Sequence, residues 1–461
     1  MVLLLWSVGV FAQTDTVPIN ERDFMLQAIR FSPTAENGLL QIAIKNEELN
    51  ESKGSFEPKL GATYDKKNFE GKSYYDKLNA GVKVKTPLGV KVSGGVDDNS
   101  GVYLNPESTV PMQGLAFAGI EIPLGAGMFT DGERTMVKQK RTELSAASLV
   151  YEMQMNDYAL QAGQSYWNWY GAILQLNLAL DAMERAQKRF ALVQNKYSIG
   201  EAAGVDTLES YINLQNREML YFESLLKWQK AKRYINNFVW DSTLNSASLS
   251  SINDSSYAPQ YLDAQTQMNY VSQHPLLTLL SADSLINALQ TRLAREYLKP
   301  TVDLSFKLQE DVSEVGDFDY QPNQNHYVGL QAYIPLMFRK ERAKVKQLGY
   351  KSDIIENKKR DVLVKLTNGL SISESNSKTL KENIDLLRRA QQNYLILLEA
   401  EQSKFNLGES SLFMVNSREI KWIEARNKYI KAYVDYRVEV LRYFHALGIL
   451  HEVVADDTSQ L

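Results

Sequence analysis

One long unit is written twice in this chain, and that duplication constrains the fold more than any other feature. Ser32-Pro33 precedes an amphipathic segment that ends at Phe56-Glu57-Pro58-Lys59-Leu60. His274-Pro275 precedes a similar segment that ends at Leu298-Lys299-Pro300-Thr301-Val302. Pro33 to Pro275 and Pro58 to Pro300 are both 242 residues apart. Further on, Glu121-Ile122-Pro123-Leu124 matches Tyr333-Ile334-Pro335-Leu336 at a spacing of 212, and a basic helical start follows each. The closest match comes last: Lys196-Tyr197-Ser198-Ile199-Gly200-Glu201 aligns with Lys404-Phe405-Asn406-Leu407-Gly408-Glu409 at a spacing of 208. Four landmarks in one order describe a duplication. The fall from 242 to 212 puts about 30 extra residues into the first copy, between Pro58 and Pro123.

Each copy opens with a helix, over about 20–53 and about 265–297, with prolines near its start that fit a boundary or kink. The period then changes to two. Lys59–Asp65 and Thr301–Lys307 alternate as strands do, and Leu115–Ile122 and Tyr327–Ile334 are their expected partners. Between them lie turn-rich stretches, Asp97–Gly101 and Gln321–Asn325, and the first copy adds a hairpin around 78–85 and 89–96. After the second strand comes a helix of unusual length. From about Glu133 to Tyr197 there is no proline and only Gly163 and Gly171 interrupt, which predicts roughly 100 Å of helix at 1.5 Å per residue. Its apolar residues fall at 3-and-4 spacing: Trp169, Ile173, Leu176, Leu180, Met183, Phe190, Val193 and Tyr197. Leu208, Ile212, Met219, Phe222 and Leu226 continue the stripe on the way back, and Ile384, Leu387, Tyr394, Leu398 and Phe405 repeat it in the second copy. Such stripes are expected to be the packing seams of two helical hairpins that turn at Gly200 and Gly408.

The [Tyr/Phe]-x-x-Gly turns, the paired Pro-x-Leu and Ile-Pro-Leu strand signatures and the two-copy order resemble the TolC-like outer-membrane efflux proteins. The resemblance runs from about Asn20 to Leu450. It implies a mainly α fold with membrane β-strands, in which two helix–strands–helix repeats share a β-barrel continued by a periplasmic helical barrel. Physics requires the sharing: four strands per chain, or six with the added hairpin, cannot close a barrel, and lipid tolerates no open sheet edge. In the family three copies close it. The resemblance further implies a passive duct of a tripartite efflux or type I secretion system. Its expected partners are two further copies of itself, outer-membrane lipid, a periplasmic adaptor and an inner-membrane pump. The adaptor would contact the hairpin tips, here Tyr197, Gly200, Glu201, Phe405, Gly408 and Glu409. A periplasmic gate would lie just beyond, where family members often carry acidic residues. Asp206 and Glu209 keep that character in the first copy, whereas Leu412, Phe413, Met414 and Ser417 stand in the second. An apolar constriction there would close the pore by dewetting.

The remaining chain fits this order. Residues 1–12 read as a secretory signal peptide cut near Ala12, though no Lys or Arg precedes its apolar run. The first repeat is expected over 13–240 with strands about 58–123, and a Ser-rich linker over 241–262. The second repeat follows over 263–452 with strands about 300–335, and a tail over 453–461. With 51 basic and 55 acidic residues, nothing points to nucleic acid. The absence of cysteine excludes disulfides, thiolate metal sites and a lipidated cysteine. Enzymatic chemistry and bound cofactors are not expected: His274, His326, His445 and His451 are scattered, and no phosphate-binding loop is present. Two rivals remain, a periplasmic adaptor and an elongated coiled-coil protein. An adaptor carries one hairpin where this chain has two, and a coiled coil has no use for strands bearing Tyr64, Tyr74, Tyr75, Tyr103, Phe306 and Tyr327. Those aromatics would suit a membrane girdle.

Overall fold

The prolines and caps set the first boundaries. Asn20 Oδ1 accepts the Asp23 N–H at 2.8 Å and starts α1 (Glu21–Phe31). Ser32 Oγ accepts the Ala35 N–H at 3.0 Å, and Pro33 opens α2 (Pro33–Lys53) at the position where its missing N–H costs nothing. The second copy repeats the break: Asp263 caps α5 (Ala264–Ser272), and Pro275 opens α6 (Pro275–Glu296). The computed structural model describes residues 20–240, 261–315 and 325–455. The expected signal peptide, most of the Ser-rich linker, nearly all of the turn expected at Gln321–Asn325 and the end of the expected tail therefore lie outside the described residues. The last helix, α9 (Leu450–Ala455), runs into the stretch expected to be a tail, because Val454 is buried in the core.

The two compact units of the chain are not the two repeats. One consists of 40–150 and 276–361, the other of 1–39, 151–275 and 362–461. Each unit thus draws on both copies, the first on their strands and the second on their hairpins.

In the first unit, six strands form one antiparallel meander in chain order: β1 (Lys59–Phe69), β2 (Lys72–Lys85), β3 (Lys91–Ser100), β4 (Leu115–Pro123), β5 (Thr301–Asp311) and β6 (His326–Tyr333). All four expected strands are present, and the added hairpin, β2–β3, pairs in plane between β1 and β4. The structure corrects one turn. Asp97 to Ser100 continue β3, because Asp76 to Asn79 of β2 pair with them and the ladder overrides their turn propensity. Only Gly101, at φ +136°, begins the turn.

The second unit is a helical core. The 67-residue α3 (Gly132–Ser198) and 68-residue α7 (Arg339–Asn406) contribute their far parts to it. α4 (Gly204–Ile235) and α8 (Leu412–Ala446) return from the turns. Gly163 and Gly171 do not interrupt α3; they admit Leu441 and Val434 of α8, which a methyl at either position would meet within 2.5 and 2.8 Å. One apolar cluster gathers Phe24, Tyr166, Trp169, Tyr443 and Phe444, and another gathers Val193, Leu398, Leu412, Val415 and Ile430.

The expected seams are only partly seams. Trp169, Val193, Ile384, Leu398 and Phe405 are buried as foreseen. The α4 stripe is not: Leu208, Ile212, Met219, Phe222 and Leu226 are all exposed, Leu226 by 66%. What α4 turns inward is Ser210, Leu214, Arg217, Ser224 and Ile235. The apolar spacing is there, but among the described residues of the chain nothing covers it.

Candidate functional site

Three places hold the residues singled out by the sequence. The first is the sheet. Its register puts apolar residues from every strand on one face: Leu60, Ala62 and Tyr64; Leu78, Ala80, Val82 and Val84; Val92, Gly94 and Val96. The same face continues through Ala116, Ala118, Ile120 and Ile122, then Leu304, Phe306 and Leu308, then Val328, Leu330 and Ala332. None of these residues is charged. Asp98 opposite Leu78 and Glu310 opposite Ala116 mark where the apolar band stops. The other face carries Lys59, Lys83, Asn79, Ser93, Asp97, Glu121, Asp303, Lys307 and Gln309. Lys59 pairs directly with Lys83, a like-charge opposition that costs stability in a sheet. Of the aromatics expected to form a girdle, Tyr64 and Phe306 lie on the apolar face, whereas Tyr75 and Tyr327 lie on the polar one. Strand parity, not composition, separates them.

The apolar face is exposed: Leu60 is 82% accessible and Leu330 68%. A soluble sheet buries such a face against a second layer, and helix or sheet packing supplies none here among the described residues. Strand lengths run from 8 to 14 residues, around the 9–11 or so that a tilted strand needs to cross a bilayer. No described helix is long and apolar enough to cross a membrane.

The second place is the pair of hairpin turns, whose backbones are alike. Glu201 N–H reaches Lys196 C=O at 2.7 Å, and Gly200 N–H reaches Tyr197 C=O at 3.0 Å. Glu409 N–H reaches Lys404 C=O at 2.9 Å, and Gly408 N–H reaches Phe405 C=O at 3.1 Å. Each is a Schellman termination, with the glycine at φ +80° or +81°. Open space surrounds both glycines, so the left-handed backbone alone requires them. Around them Tyr197 is exposed, whereas Phe405 is buried with the Lys196 ammonium 5.1 Å above its ring.

The third place is the start of the return helices. Asp206 accepts the Ala203 N–H at 3.1 Å, closing the first turn of α4 from within. Ser411 Oγ accepts the Met414 N–H at 3.3 Å and caps α8. Leu412 points into the core, 5% exposed; Phe413 stands 68% exposed; Met414 and Ser417 are half-buried. Glu209 approaches Asn416 Nδ2 at 3.4 Å.

Asn416 belongs to a buried polar knot that sequence reading missed. Glu419, fully buried, takes Arg189 Nη2 at 2.6 Å on one oxygen and Arg217 Nε at 3.1 Å on the other. Arg189 Nη1 also donates to Asn416 Oδ1 at 2.7 Å. The knot ties α3 and α4 of the first copy to α8 of the second. One signal was available: Arg189 falls between Ala186 and Val193 on the buried stripe of α3, where a charge needs a partner. Close by, the Ser410 hydroxyl and then Arg418 hold the Glu401 carboxyl below the usual carboxylate range. Among the described residues no cluster of His, Cys, Asp or Glu is arranged to hold a metal.

No family model matches the sequence, and no curated protein matches it. Solved structures do. The CmeC outer membrane channel of Campylobacter jejuni superposes with a TM-score of 0.69 at 13% identity, covering 93% of this chain and 85% of its own. The outer membrane protein VceC of Vibrio cholerae gives 0.66 at 14%, covering 93% and 96%. The MtrE outer membrane channel of Neisseria gonorrhoeae gives 0.65 at 9%, covering 93% and 89%. The duplicated hairpins, the amphipathic sheet and these superpositions agree: the chain has the fold of the TolC-like outer-membrane channels.

Proposed function

We propose that this chain is the outer-membrane subunit of a tripartite efflux or type I secretion system, and that it works as a passive trimeric duct. The observation that carries this reading is the six-stranded sheet with one exposed apolar face, one polar face and two open edges. In water such a face would aggregate, and in lipid such edges would be intolerable unless closed. Copies of the chain that share one barrel solve both problems: lipid covers the apolar face, and the polar face lines a wet pore. The exposed stripe of α4 supports the same conclusion, since a neighbouring copy's helix would bury it.

In this reading the two Schellman turns, with Tyr197, Gly200, Glu201, Phe405, Gly408 and Glu409, receive a periplasmic adaptor, and an inner-membrane pump supplies the cargo. Phe413 and Met414 form an apolar constriction, with Asp206, Glu209 and Ser417 around it. Leu412 anchors that turn from below. A duct of this kind performs no bond chemistry, so the role needs no cofactor.

Reconstitution of the detergent-extracted protein into planar bilayers tests the reading. Discrete conductance steps are expected, and Met414→Asp should raise both the conductance and its block by divalent cations. A protein that fractionates away from the outer membrane and leaves bilayers silent would overturn the channel.

A further inference from the structure

The first copy's extra residues sit inside the sheet rather than above it. β2 and β3 are hydrogen-bonded on both sides along most of their length, with β1 from Lys59 to Phe69 and with β4 from Leu115 to Glu121. Their alternation is in phase with both neighbours: Ala80 and Val96 stand in one row with Ala62 and Ala116, and Val84 and Val92 stand in the row of Ile120. An extracellular loop has no reason to keep an apolar face at the same level as the strands beside it.

The pairing also has a place where it can curve. Gly81 faces Gly95, and a methyl on Gly95 would stand 2.3 Å from the Ala80 carbonyl oxygen and 2.7 Å from Gly81 Cα. Paired glycines of this kind allow a sheet to bend at a barrel wall. Among the described residues the unpaired edges are then β1 and β6. Six alternating strands leave these two antiparallel to each other, which is what closure by β6 of one copy against β1 of the next requires.

We propose that the inserted β2–β3 hairpin is barrel wall, so that three copies of this chain, joined β6 to β1, close an eighteen-stranded barrel. The proposal rests on the trimeric channel reading above and goes beyond it. The two repeats alone, with two strands each, would give twelve strands from three copies. With strands about 4.8 Å apart and tilted by about 40°, eighteen strands enclose a wall about 35 Å across, against about 24 Å for twelve. The insertion therefore widens the outer-membrane part of the duct about 1.5-fold. It also adds Lys83 to the lumen row that holds Lys59 and Lys307.

Electron microscopy of the full-length protein in mild detergent decides the matter. Eighteen strands within the detergent belt are expected. Twelve strands in the belt, with the hairpin outside it, would overturn the inference and leave the channel standing. Monomers without a belt would remove the channel reading itself. Disulfide trapping gives an independent answer, because the chain has no cysteine of its own. Ala62→Cys combined in turn with Val328→Cys, Leu330→Cys or Ala332→Cys should yield covalent trimers at one register. Ala62→Cys with Ala116→Cys should stay reduced, since two strands separate the positions by about 14 Å. An intrachain disulfide in that last variant would place β1 beside β4 and overturn the wider barrel.

Discussion

The two return helices descend from one duplicated unit and have come to opposite uses. α8 buries sixteen residues, among them Trp422, Ile430, Val440 and Phe444, whereas α4 of nearly equal length buries five. Both carry heptad-like apolar spacing, and both follow the same turn. The second copy's helix has become the centre of the helical core. The first copy's helix holds on through Arg217 and Ile235 and leaves its apolar stripe exposed among the described residues. Duplication supplied two interchangeable parts, and burial then divided them into a core element and an exposed apolar face, which the proposed trimer would cover.

The sharpest break in this comparison is a paired substitution on the stripe. Phe222→Asp with Leu226→Asp should leave the helical circular dichroism intact while abolishing association, read as mass by light scattering in detergent. Ile430→Asp on α8 should instead prevent folding. Should the α4 variant also unfold, the stripe belongs to the core after all. Next in size is the knot that fastens α4 to α8. Glu419→Ala leaves two arginines buried without their carboxylate and should cost about 3–5 kcal/mol, seen as a fall in the denaturation midpoint. A simultaneous Arg189→Met and Arg217→Met should recover much of that loss, which a purely steric role of Glu419 would not allow.

A smaller effect separates the two copies by pH. His274, just before α6, has its pKa lowered to about 4, first by burial and then by the charge of His445, which itself meets Asp157 at 2.6 Å. The unfolded chain, with an ordinary value of 6.5, binds this proton more readily than the folded one. Stability from His274 is therefore complete above pH 6.5, falls as pH drops toward 4, and is level below that. The matching position in the first copy is Ser32, so His274→Ser should flatten the melting temperature over that window. The smallest effect is the one that should not distinguish the copies. Gly200→Ala and Gly408→Ala each force a left-handed alanine into open space, so each should cost about 1 kcal/mol, equally, in thermal unfolding. Unequal costs would mean that one turn carries a contact the other lacks.

Much of this is legible in the sequence. The Gly turns could be read because a helix end with φ near +80° needs glycine, and the six-residue match around each fixed the register. Strands could be read from alternation, and their partners from the repeat. The knot could not, since Glu419 lies 230 residues from Arg189 and 202 from Arg217. A one-dimensional pattern marks a misplaced charge but not its counterpart. Nor could Leu412 be told from Phe413: adjacent on the chain, they fall about 100° apart around α8, one into the core and one into solvent.

By itself the sequence determined the periodicities: which segments wind, which extend, where they turn, and that the plan is repeated. Those are local matters of propensity, backbone angle and spacing. Only the tertiary structure decided which of two equal stripes is buried, that the extra hairpin enters the sheet, and which face of that sheet carries the apolar band. The physical reason is the same in each case. A stripe or a strand states that it needs a partner, and the identity of that partner depends on chain folded from hundreds of residues away.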